Sequence, residues 1–247
     1  GLGQLGSAIK SYEKAIVINP SYAKAHFNLG NALHDLALQG LDDFDHQALA
    51  HLDAPVKSFE RSIEIDPNYA EAHNNLGNVL KDLGRLNEAQ ESFNKALILK
   101  PDYLEAHYSL GIVLFDLGQI NDAVKSYKKA IEINPNFAHA HNNLGNALKN
   151  ANKIKESLIS YQKAIKINPR YAEAYSNLGN ALKELGKYEL RKYELNRQKQ
   201  ILANKNDKES KRRLIKLEKF QTTKDFDFTH IIIADYGLRL LQVAPLL

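Results

Sequence analysis

Apolar residues recur at three- and four-residue steps through most of the chain. Between residues 70 and 83 they are Ala72, Leu76, Val79, Leu80 and Leu83, the stripe of an amphipathic helix. A second stripe, Ala89, Phe93, Ala96 and Leu97, runs to Pro101, which blocks its continuation. Gly84 closes the first helix, and Asn87 is the expected N-cap of the second. The unit is a helical hairpin.

This hairpin returns every 34 residues, as Pro67, Pro101, Pro135 and Pro169 show. The pairs Leu76-Gly77, Leu110-Gly111, Leu144-Gly145 and Leu178-Gly179 recur in the first helices, and Ala96, Ala130 and Ala164 in the second. Small residues are needed where two helix axes approach closely. A fixed period of this length predicts a stacked array with a linear core.

The positions Leu76, Gly77, Leu80, Ala89, Phe93, Ala96 and Pro101 resemble the tetratricopeptide repeat. They recur as Leu110, Gly111, Leu114, Ala123, Tyr127, Ala130 and Pro135, then as Leu144, Gly145, Leu148, Ser157, Tyr161, Ala164 and Pro169. The resemblance implies an all-α, right-handed solenoid of antiparallel helix pairs whose first helices line a concave, partner-binding groove. One departure is systematic, because His73, His107, His141 and, in the last unit, Tyr175 stand at the family's first-helix Trp.

The period divides the chain into an array over residues 1–200 and a tail over 201–247. The array comprises a half repeat at 1–20, a repeat with an insertion at 23–67, repeats at 70–101, 104–135 and 138–169, and a degenerate last repeat at 172–200. The first unit has only its second helix, so the chain reads as a fragment from which a preceding helix is missing. Pro20 and Pro67 are 47 apart, which places 13 extra residues between the helices of the second unit, around 38–50. Such an insertion leaves the stacking faces untouched. Its Asp42, Asp43 and Asp45 lack the Gly and Glu spacing of a calcium loop, and Asp53 is the expected N-cap where the helix resumes.

Charge sharpens the boundary. From Lys187 onward there are 14 Lys and Arg against 8 Asp and Glu, leaving 19 against 21 before it. The basic stretch at 211–219 suggests an anionic partner, or else a solvated capping helix. Residues 226–234 read as one short strand, the entrance to a further domain or an irregular end. The absence of Cys removes disulfides and thiolate chemistry and fits a cytoplasmic location. There is no run of 18 apolar residues and no signal peptide.

Two motifs are absorbed by the repeat. The glycines of residues 1–6 match a dinucleotide-binding pattern, but no strand precedes them, and the register assigns them to an inter-helix turn. His26, His73, His107 and His141 sit in equivalent helices about 10 Å apart, too far to share one metal ion, and read as packing substitutes for Trp. No catalytic triad or carboxylate pair is brought together, so neither catalysis nor a cofactor is expected in this chain.

The asparagines are less easily absorbed. They occupy two phases of the first helices, Asn28 and Asn31, Asn75 and Asn78, Asn143 and Asn146, Asn177 and Asn180. Each costs a few tenths of a kcal/mol relative to Ala in a helix. An amide both donates and accepts, so a ladder of them can grip an extended peptide backbone, one contact per three residues. They can equally bond between adjacent helices. The ladder is similar to that of the O-linked N-acetylglucosamine transferases, and breaks at Ser109 and Ile112, where Tyr108 and Phe115 predict an apolar anchor. The expected function is a peptide-binding scaffold. The alternative is the substrate-recognition region of a larger glycosyltransferase or other enzyme whose catalytic domain lies outside this chain. A clamp on a C-terminal carboxylate is disfavoured, because its basic positions are Phe27, Asn74, Tyr108, Asn142 and Ser176.

Overall fold

The computed structural model describes residues 2–39 and 52–203, with side chains over 4–38 and 52–188. These residues form ten helices and no strand. In order they are α1 (Leu2–Ile18), α2 (Ala23–Gln39), α3 (Asp53–Ile65), α4 (Ala70–Asp82), α5 (Leu86–Leu99), α6 (Leu104–Asp116), α7 (Ile120–Ile133), α8 (Ala138–Asn150), α9 (Ile154–Ile167) and α10 (Ala172–Ala203). Even-numbered helices are the first helices of repeats and odd-numbered ones the second. Of the insertion expected around 38–50, Leu38 and Gln39 end α2, and the rest lies outside the described residues, as do the basic stretch at 211–219 and the expected strand at 226–234.

Residues Gly1–Leu185 form one compact unit. Within it each helix packs on its neighbours in sequence, and α2, α4, α6 and α8 also touch in succession. Its main core is continuous from Ala37 and Leu52 to Leu148. A second cluster joins α9 to α10 through Leu158, Tyr161 and Ala181.

Within each pair, glycine and an aromatic ring set the distance between axes. A Cβ on Gly30, Gly77, Gly111 or Gly145 would meet Cε1 of Phe59, Phe93, Tyr127 or Tyr161 at 2.7, 2.8, 2.6 and 2.5 Å. Those four rings are buried at 2% exposure or less. The last first helix differs, since a Cβ on Gly179 would meet nothing within 4 Å. There α10 continues through Gly186 to Ala203 instead of turning.

The turns explain two corrections. Gly84 and Gly118 have φ of 72° and 74°, and Asn152, the equivalent residue, 64°. This left-handed step lets the amides of Arg85, Gln119 and Lys153 donate to the carbonyls of Leu80, Leu114 and Leu148, each at 2.8 Å. The chain passes straight into the next helix, so Arg85 rather than Asn87 flanks α5, and neither it nor its counterparts make a side-chain cap. Asp53 likewise lies inside α3, behind Leu52. The glycines at 3 and 6 belong to α1 and do not form the expected turn.

The periodic histidines do more than fill space. His26, His73, His107 and His141 place Nε2 at 3.0, 3.1, 2.8 and 3.0 Å from the carbonyl oxygens of Pro20, Pro67, Pro101 and Pro135. Each bond ties a first helix to the turn that delivers it. The turns are further held by Asn19, Asp66, Asn134 and Asn168, whose Oδ1 accepts from the backbone amide two residues on.

Candidate functional site

On α2, α4, α6 and α8 the repeat glycine meets the aromatic ring of the second helix, and on each first helix the two asparagine positions flank that glycine, two residues before it and one after. Asn28, Asn31, Asn75, Asn78, Asn143, Asn146 and Asn177 are half-buried and Asn180 is exposed. Tyr108 and Phe115 are half-buried on the same layer.

Several of these amides bond from one repeat to the next. Asn75 Nδ2 donates to Asn31 Oδ1 at 2.7 Å, Asn143 Nδ2 to the Tyr108 hydroxyl at 3.2 Å, and Asn177 Nδ2 to Asn142 Oδ1 at 3.1 Å. Asn146 instead accepts from the Tyr161 hydroxyl at 2.8 Å, reaching its own second helix. Asn28, Asn78 and Asn180 make no side-chain hydrogen bond among the described residues. The ladder thus contains amides engaged between helices and amides without a side-chain partner among the described residues.

The break at Ser109 leaves a mark on α4. Asn74 and Asn142 are buried equivalents, at 3% and 0% exposure. Asn142 Nδ2 reaches Glu173 at 3.0 Å while its Oδ1 accepts from Asn177 of the following repeat. Asn74 donates to Asn75 at 2.9 Å, but its Oδ1 is buried with no partner, because the residue that would donate from the next repeat is Ser109.

An aromatic row borders this layer. Tyr108 packs on Phe137 with ring centroids 4.7 Å apart, and His139 on Tyr171 at 4.8 Å with a 3.0 Å hydrogen bond between Nδ1 and the phenol oxygen. Phe27 packs on Tyr69 in the same way, at 4.8 Å. Burial pushes the Tyr103 and Tyr171 phenols up to about 12. Tyr22, Tyr69, Tyr103, Phe137 and Tyr171 precede successive first helices, the last four at the 34-residue spacing, a signal present in the sequence but outside the expected site.

The family profile for the TPR repeat matches residues 2–36, 77–118, 113–151 and 145–186, and a second tetratricopeptide profile matches 58–91. The chain belongs to the tetratricopeptide repeat family. Among solved structures, the tetratricopeptide array is similar to that of MamA, with a TM-score of 0.60 and 24% identity over 69% of this chain and 92% of that one. It is also similar to YrrB, described as a TPR protein with an unusual peptide-binding site, at 0.59 and 22% over 71% and 84%. A thermophilic TPR protein of Thermus thermophilus aligns at 0.52 and 20% over 73% and 92%. No curated protein matches the sequence.

Among the described residues no His, Asp and Glu cluster suits a metal ion, and no helix is long and apolar enough to cross a membrane.

Proposed function

We propose that the layer of first helices binds an extended protein segment, with the free amides of Asn28, Asn78 and Asn180 gripping its backbone and the apolar patch of α6 anchoring one side chain. The array serves as a protein-interaction scaffold. The observation that carries this reading is the separation of the asparagines into engaged and free sets. Asn31 and Asn75 hold each other, while Asn28 and Asn78 keep unpaired amides on the same two helices. A helix that needed asparagine only for stacking would not carry the second set. Successive first helices touch directly, which supports a reading in which their layer lines the groove and an extended chain meets several repeats at once. Repeats spaced by about 10 Å match three extended residues. The description of YrrB as having a peptide-binding site supports the same reading.

Peptide-display selection on the whole chain, followed by titration of the selected peptides, tests it. Replacing Asn28, Asn78 and Asn180 with Ala removes hydrogen bonds each contributing about 1 kcal/mol, so affinity should fall by about tenfold or more. Unchanged affinity in a variant with the parent's circular dichroism and melting curve would rule the reading out. The alternative, a recognition region feeding a glycosyltransferase or other catalytic domain, rests on the same asparagine pattern.

A further inference from the structure

The inner face carries charge in a pattern that specifies its ligand, on the footing that this face binds a peptide at all. On each first helix, positions i, i+4, i+7 and i+11 share the open side. In α4 these are Glu71, Asn75, Asn78 and Asp82, and in α10 Glu173, Asn177, Asn180 and Glu184. The asparagines form a midline, with one rim beyond each end of it. Eleven residues of helix separate the rims by about 16 Å, so each lies about 8 Å from the midline. Glu105 and Asp116 continue the two rims on α6, and Asp35 the second on α2, while α8 contributes His139 and Asn150.

Lys24 is the only lysine on either rim. Lys81, Lys149 and Lys183 lie one residue off, and Lys81 is committed to Asp82 at 3.3 Å. Seven rim carboxylates therefore face four lysines on or beside the rims, with Lys100 reaching Glu71 at 3.4 Å and His34 reaching Asp82 at 3.0 Å from elsewhere. The imbalance is greatest on α6. There Phe115 replaces the adjacent lysine, Glu105 and Asp116 are exposed without an ion pair among the described residues, and Tyr108, Ile112 and Phe115 form a half-buried apolar floor. Carboxylate beside apolar floor suits one kind of side chain, a long aliphatic stem ending in a cation.

We infer that the bound segment is basic, its main chain over the asparagine midline and its Lys or Arg side chains directed alternately to the two rims. One of them seats its stem on Ile112 and Phe115 and its head at Asp116. Alternation follows from extended backbone, in which successive side chains point to opposite sides.

Fluorescence anisotropy of the whole chain with three labelled peptides of equal length tests this, each carrying Lys, Glu or Ser at successive positions on both sides of a central Leu. The Lys peptide should bind about tenfold tighter than the Ser peptide and weaken as salt is raised. The exposed, near-isosteric variant Glu105→Gln/Asp116→Asn should weaken the Lys peptide by about threefold to tenfold and leave the Ser peptide unchanged. Equal affinity for Lys and Ser peptides, or wild-type affinity of the double variant for the Lys peptide, would overturn the inference. If the Ser peptide binds as tightly as the Lys peptide and loses affinity in Asn78→Ala, the charge inference fails while the groove reading survives. Failure of all three peptides to bind would sink both.

Discussion

His107 Nε2 lies 2.8 Å from the carbonyl oxygen of Pro101, six residues earlier. A carbonyl only accepts, so the ring nitrogen must carry hydrogen. His107→Ala should cost about 1 kcal/mol in urea unfolding. An unchanged urea midpoint would mean that the bond contributes nothing.

Gly111 and Gly179 occupy the same repeat position with opposite surroundings. Gly111→Ala drives a methyl into the Tyr127 ring and should destabilise by about 1–3 kcal/mol. Gly179→Ala has open space and a helical backbone, and should stabilise by about 0.5–1 kcal/mol. Thermal melts of the two variants should therefore move in opposite directions.

Ser109→Asn offers the orphaned Asn74 Oδ1 a donor, as Asn177 does for Asn142. Urea unfolding should show a gain of about 1 kcal/mol. Combining Ser109→Asn with Asn74→Leu should abolish the gain, because the acceptor has gone.

Asp82 joins α4 to His34 of α2 at 3.0 Å. Burial works to raise its pKa, but the bonds to His34 and Lys81 outweigh it and hold the carboxyl below its ordinary value. A depressed carboxylate pKa contributes stability that is complete above the unfolded value and is lost as pH falls through the folded one. Denaturant midpoints should therefore drop below about pH 4 in the parent, and drop less steeply in Asp82→Asn. Parallel profiles would mean that the pair contributes nothing.

What the sequence made legible was whatever one repeat decides alone. The stripe ending at Leu83, the small residue at Gly77 and the helix end at Gly84 depend on residues within about 20 positions of one another, so periodicity exposed them. The partners of Asn31 and Asn142 lie in the following repeat, and their choice depends on how neighbouring helices rotate against each other, which no spacing reveals. The role of the histidines was hidden for a related reason, since the acceptor is a backbone carbonyl and leaves no residue-type signature. The aromatic row from Tyr22 to Tyr171 was periodic and readable, yet each ring precedes its helix and so fell outside the amphipathic stripes.

The bonds Asn31 to Asn75 and His34 to Asp82 join α2 to α4, and Phe59 sits over Gly30 as Phe93 sits over Gly77, although the chain between Gln39 and Leu52 is longer than in any other hairpin. Docking of these helices is thus independent of the length of the tether that joins them. A connection of that kind should accept grafted sequence with the register of the neighbouring repeats preserved.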